Sequence, residues 1–112
     1  MNISYEGIGA LVVTFPGGTC RTGQVCKIGI AGGADKCSSG DKFCGVMLAG
    51  EGGVSTVQVE GFVQVGYSGT KPSLGYTALA ADGTGKVAAN ANGREYLVVE
   101  VDTEEMTAII KL

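Results

Sequence analysis

Residues 55–69 read STVQVEGFVQVGYSG, and the spacing inside this stretch decides the fold. Val57, Val59, Val63, Val65 and Tyr67 recur on one face, with Thr56, Gln58, Glu60 and Gln64 on the other. That period of two marks a half-buried β-strand. The phase survives Gly61, so the glycine marks a bend or a close backbone approach and not an inserted bulge residue. Drawn straight at ~3.3 Å per residue, 55–67 would span about 40 Å, against a radius of gyration of about 13 Å for a chain of this length. The strand is therefore expected to bend at Gly61, either turning a corner to serve two sheets or wrapping a small barrel.

Working outward, short runs rich in Val, Ile, Thr and Tyr recur on both sides of this stretch, separated by glycine-bearing turns. Strands are predicted at 10–15, 24–30, 43–49, 55–67, 76–80, 86–89 and 94–101, with turns at 16–18, 31–33, 50–53 and 82–85. The closing stretch DTEEMTAIIKL has helical spacing at Met106, Ile109 and Ile110 behind Asp102 and Glu105. It also alternates at Met106, Ala108, Ile110 and Leu112 and is β-branched at Thr107, Ile109 and Ile110. It is read as a closing strand, with 102–105 as a hairpin loop that returns it onto Leu97, Val99 and Val101. The fold class expected is all-β: one domain over 1–112, a small barrel or tulip-like sandwich of short antiparallel strands with glycine-rich turns. The 20 glycines follow no fixed period, which excludes a collagen-like chain and suits turns.

Composition narrows the function classes. Hydrophobic residues make up 45% and charged residues 17% of the 112, so the chain can bury a core without metals or disulfides. The net charge is −3 and Lys and Arg are scattered singly, which argues against nucleic-acid binding. No apolar run approaches the ~20 residues of a membrane-spanning helix. The opening MNISYEGIGALVVTFPGG lacks the basic start of a secretory signal, so synthesis into the cytoplasm is expected.

Catalytic templates find little to fit. There is no histidine, the commonest general base and metal ligand. Asp35, Asp41 and Glu51 are the carboxylates nearest glycine-rich turns, where acidic residues also serve turn geometry and solubility. Cys20, Cys26, Cys37 and Cys44 contain no Cys-x-x-Cys pair, so neither a zinc site nor any other metal or cofactor is expected. Cys26 and Cys44 are read as small buried hydrophobes within strands, and a disulfide among the four is open only in an oxidising compartment. DGTGKVA resembles the heart of a phosphate-binding loop, but Ala80 stands where its first glycine belongs and Val87 where its Ser or Thr belongs. A hairpin turn between Ala81 and Val87 accounts for it better. Gly7-x-Gly9 leads into a β-like run instead of a helix, so it is no dinucleotide fingerprint, and Asn90-Ala-Asn-Gly93 reads as a tight turn.

The order of the segments GQVCKIGI, KFCGVMLA, VQVEGFVQVGYSG, PSLGYTALAADGTGKV and REYLVVEVDTEEMTAIIKL resembles the small capsid decoration, or head-stabilising, proteins of tailed bacteriophages and prophages. Gly23 and Gly29, Gly45-Val46, Val57-x-Val59-x-Gly61, and Gly75 ahead of Asp82-Gly83 carry the likeness, which runs over nearly the whole chain. It departs at Leu79, where a tyrosine is frequent, and in its four cysteines. The resemblance implies a non-enzymatic virion structural protein, often trimeric, that binds the major capsid protein on the outer surface of an expanded head. It would be made in the bacterial host cytoplasm and would stabilise the shell.

Two surfaces are expected to matter. Residues 1–9 offer Ile3, Tyr5 and Ile8 for capsid docking, unless they form one more edge strand. Phe62 falls on the polar side of the long strand, where it would face a partner if exposed. An aromatic in that position also suits the alternative of a carbohydrate-binding or adhesin-like β module, which would need aromatic platforms from a chain without Trp. A third reading, a small enzyme with a cysteine nucleophile, rests on Cys44 beside Gly45 and lacks a basic partner for the thiol.

Overall fold

Gly61 breaks the long strand into two, and the two halves belong to different sheets. The structure, a computed structural model, describes residues 9–112. Its strands are β1 Leu11–Pro16, β2 Val25–Ile28, β3 Ala34–Lys36, β4 Gly45–Glu51, β5 Val54–Glu60, β6 Phe62–Gly66, β7 Gly75–Ala81, β8 Val87–Ala89, β9 Arg94–Asp102 and β10 Thr107–Lys111. They form two five-stranded sheets in the orders β1-β5-β4-β2-β3 and β6-β10-β9-β7-β8. Every paired strand is antiparallel. β5 lies between β1 and β4 in the first sheet and β6 is an edge of the second, so the corner is where the chain passes between sheets.

The physical reason lies in three contacts. Gly61 has φ +92°, and a Cβ there would sit 3.0 Å from the Ala10 Cα, so an L side chain would be strained in conformation and crowded against Ala10. The buried Gln58 carboxamide straps the bend: its Nε2 donates to the carbonyls of Glu60 at 3.0 Å and Phe62 at 2.9 Å, the two neighbours of Gly61. The Gly61 carbonyl then accepts the Leu112 N–H at 2.9 Å, tying the end of the chain to the corner.

The bend also divides the apolar face of the long strand between two cores. Val63, Val65 and Tyr67 join the main core with Leu79, Val87, Tyr96, Val98 and Ile110 of the second sheet and Val25 and Val46 of the first. Val57 instead lies in a smaller core with Cys20, Cys26, Ala34 and Met47, and Val59 packs against that cluster with Phe15. β2 and β4 each have one consecutive pair buried on both faces, one residue of the pair serving each core: Val25 and Cys26, Val46 and Met47. Phe43 carries the segment before β4 onto the second sheet. Its ring stacks on Tyr96 at 4.8 Å between centroids, and its carbonyl accepts the Tyr96 hydroxyl at 3.2 Å.

A barrel is not what forms. Both sheets stay open, although each curls until its edges are stitched at a few points. Beyond β1, the Gly17 carbonyl accepts the Ala34 N–H and the Cys20 N–H reaches the Ala34 carbonyl, each at 3.1 Å. In the second sheet Tyr67 makes a single parallel bridge to Val87. The sandwich wins over the barrel because the corner at Gly61 hands the strand to new partners, β10 in place of β1 and β4, instead of extending one continuous ladder.

The C-terminal segment is a strand. Ala108 pairs with Val101 and, after a register shift, Ile110 pairs with Val98. Asp102 Oδ1 accepts the N–H groups of Glu104 and Glu105 to shape the loop, and Met106 takes the left-handed position at φ 53°. The hairpin between Ala81 and Val87 and the turn at 90–93 also form. The expected strand positions are otherwise matched, except that β3 was not foreseen.

Replacing Gly61 by Ala is expected to cost roughly 1–3 kcal/mol through forced left-handed backbone. Gln58→Leu should cost a similar ~1–3 kcal/mol, because it strips two partly buried carbonyls of their donor. Urea denaturation of both variants checks this, and a Gly61→Ala protein as stable as the parent would refute the strained corner.

Candidate functional site

The residues singled out from the sequence fall in different places. Ile3, Tyr5 and Ile8 lie outside the described residues. Phe62 opens β6 and is half-buried, not exposed. Its backbone pairs with Lys111 and its carbonyl holds Gln58, so it belongs to the corner and does not stand free as a partner-facing ring. Among the described residues Tyr76 is the large aromatic that is exposed, at 74%.

The carboxylates do not gather into a catalytic pair. Asp35 accepts the Thr19 N–H at 3.2 Å. Asp41 holds Lys27 at 2.6 Å and the Ser38 N–H at 2.8 Å, and the lysine lowers its pKa with help from that N–H. The side chain of Glu51 is outside the described part. Two shallow clefts are of one sign each. One, of 440 Å³, is lined by Glu100, Asp102 and Glu104 with Gln64 and Thr107. The other, of 480 Å³, is lined by Arg21 and Lys36 with Thr19, Gln24 and Thr84. Neither brings a nucleophile to a base.

The DGTGKVA stretch is held by its own aspartate. Asp82 accepts the Ser68 hydroxyl at 2.7 Å, the Thr84 N–H at 2.7 Å, the Thr84 hydroxyl at 2.8 Å and the Lys86 N–H at 3.2 Å. Partial burial works to raise its pKa, but these donors outweigh it and the net direction is down. The glycines of that stretch therefore shape a turn around a carboxylate, leaving no cradle for a phosphate.

The cysteines are closer together in space than in sequence. All four are free thiols; Cys20, Cys26 and Cys37 are buried, and Cys44 is half-buried just ahead of β4, not sealed inside a strand as expected. Cys20 and Cys44 both lie near enough to Cys26 to shift its titration. Burial pushes the Cys37 thiol up to about 11 and raises Cys20 as well. The Cys26 S–H donates toward Cys44 and draws its thiol down to about 7, while the same contact, then burial, pushes Cys26 up. Among the described residues no group of three or more His, Cys, Asp or Glu side chains is placed to hold a metal ion.

One surface was missed. Among the described residues β1 is the edge of its sheet, pairing only with β5, and its side chains project on both faces: Leu11 is 54%, Val12 45% and Val13 37% exposed. No charged residue occurs between Glu6 and Arg21, so the edge lacks the lysines that usually keep an open strand from pairing. The run LVV carried that signal in the sequence, but only pairing partners reveal which strand is an edge. No family model, curated protein or solved structure matches the chain.

Because the folded pKa of Asp82 lies below its unfolded value, the stability it contributes is present above about pH 4 and is lost as pH falls through the folded value. Asp82→Asn should therefore lower Tm at neutral pH, with the gap to the parent narrowing from about pH 4 downward. Thermal melts across that range check it; a gap of constant size would show that the charge contributes nothing.

Proposed function

We propose that this chain is a non-enzymatic structural protein of a tailed-phage or prophage head, binding the outer capsid surface and stabilising the shell. The observation that carries the reading beyond the order of its segments is the uncharged β1 edge, unpaired on one side among the described residues, with Leu11, Val12 and Val13 exposed. Such an edge is suited to strand pairing with a neighbouring chain, whose backbone supplies affinity while the side chains supply selectivity. The all-β sandwich fits a protein that works by its surfaces, since loops and edges are what it offers. Residues 1–9 precede β1 in the chain, and docking through Ile3, Tyr5 and Ile8 is part of the same proposal. The partner proposed is the major capsid protein, with the protein itself assembled as a homo-oligomer, a trimer being favoured.

The glycan-binding alternative loses its main support with Phe62 half-buried. Tyr76 alone among the described aromatics is open to a sugar ring, and a single ring is a poor platform.

Purified protein should co-sediment with expanded heads at a fixed ratio to capsid subunits, and binding to neither expanded nor unexpanded heads would sink the proposal. Val12→Lys should abolish that binding with Tm unchanged, since exposed substitutions rarely shift stability by more than about 0.5 kcal/mol. Deleting residues 1–6 separates the two roles of the N-terminus: lost binding at unchanged Tm indicates docking, whereas a lowered Tm indicates an edge strand.

A further inference from the structure

Cys26 and Cys44 are eighteen positions apart in sequence and neighbours in the fold. Cys26 lies in β2, where Gly45 is its register partner. Its carbonyl also accepts the Cys44 N–H at 2.8 Å, so two consecutive residues of the facing chain are drawn against one cysteine. Gly45 makes this possible: a Cβ there would fall 2.2 Å from the Gln58 carbonyl oxygen, so β4 presses on β5 at that point and Cys44 is fixed beside Cys26. The Cys26 sulfur reaches the Gly45 carbonyl at 3.6 Å, beside Cys44, and the two thiols are near enough to shift one another's titration. Cys20 approaches Cys26 too, but its own sulfur is turned to the Val25 carbonyl at 3.5 Å, and it is buried. Cys44 is the member of the group that solvent can reach.

We infer that Cys44 and Cys26 form a peroxide-reactive thiol pair, Cys44 attacking and Cys26 resolving, which closes to a disulfide between β2 and the start of β4. The oxidant class is a hydroperoxide. The Cys44 thiolate attacks one peroxide oxygen, the S–O bond forms as the O–O bond breaks, and the departing hydroxide takes a proton to become water. The Cys26 sulfur then attacks the Cys44 sulfenic acid, the S–S bond forms as the S–O bond breaks, and the Cys26 proton leaves with the oxygen as a second water. Two thiols lose two hydrogens and two electrons, and one hydrogen peroxide becomes two waters. The S–H contact from Cys26 favours thiolate on Cys44, which supports this order of roles. The product closes a loop over 27–43, the segment that carries β3, the Lys27–Asp41 ion pair and the Phe43 ring.

The test uses the full reduced chain and hydrogen peroxide, followed by thiol counting and peptide mapping by mass spectrometry. Two of the four thiols should disappear, with a cross-linked peptide pair containing Cys26 and Cys44. Tm should rise by about 10 °C and return on reduction, as loop closure of this length implies. Cys44→Ser should leave the remaining thiols unreactive, whereas Cys26→Ala should leave a Cys44 sulfenic acid that dimedone traps. Mapping of the parent protein needs no variant to fold. Four intact thiols at peroxide doses that oxidise a control dithiol would overturn the inference, as would a Cys20–Cys26 bond or a disulfide between chains.

Discussion

The left-handed backbone at Gly61, strapped by the Gln58 carboxamide, is the constraint on which the rest of the structure depends. A strand that ran straight from Val54 to Gly66 would keep one set of partners along its length. Turned at Gly61, it gives its first half to β1 and β4 and its second half to β10. The corner also meets the chain end, since Leu112 bonds the Gly61 carbonyl, and it lies against Ala10, just before β1. Both ends of the described chain are therefore anchored to one bend, and each sheet grows outward from it. Gln58 is polar and buried for a local reason: without its two hydrogen bonds the carbonyls on either side of the glycine would be left without that donor inside the protein.

Having two cores follows from having a corner. The consecutive pairs Val25–Cys26 in β2 and Val46–Met47 in β4 lie between them and are buried, which explains why Cys26 occurs where a half-exposed strand would carry a polar residue. A thiol is small and apolar enough for the tight space beneath β5, and it is a residue type at home in interiors. Crowding at Gly45 then brings Cys44 to Cys26, so a packing solution and a possible chemistry coincide at one place. The same crowding holds Phe43 in position to stack on Tyr96, joining the segment before β4 to the second sheet.

The surface is organised by the same geometry. Among the described residues β1 is an edge that pairs only with β5, while the far edge at β3 is stitched to the chain that leaves β1. An uncharged edge with apolar side chains on both faces is costly to leave open in water, both for its exposed area and for its unpaired backbone groups. The capsid-binding proposal gives that edge an occupant; the chain's own sequence explains only why it is available.

The alternation of Val57, Val59, Val63, Val65 and Tyr67 through an unbroken phase at Gly61 was enough to determine an all-β chain with a bend at one position. Turn chemistry placed the Asp82 hairpin, the Asn90 turn and the closing strand, because each depends on residues close in sequence. What tertiary structure alone decided was partnership. Whether a bent strand closes a barrel or passes between two sheets depends on which ladders it joins, and pairings at long separation leave no local trace. For that reason β3 was invisible, Val57 and Val63 went to different cores despite sharing a face, and Phe62 was drawn half-buried into the corner. The contact between Cys26 and Cys44 has the same origin: their separation along the chain says nothing of it, and only the register of β2 against β4 brings the two sulfurs together.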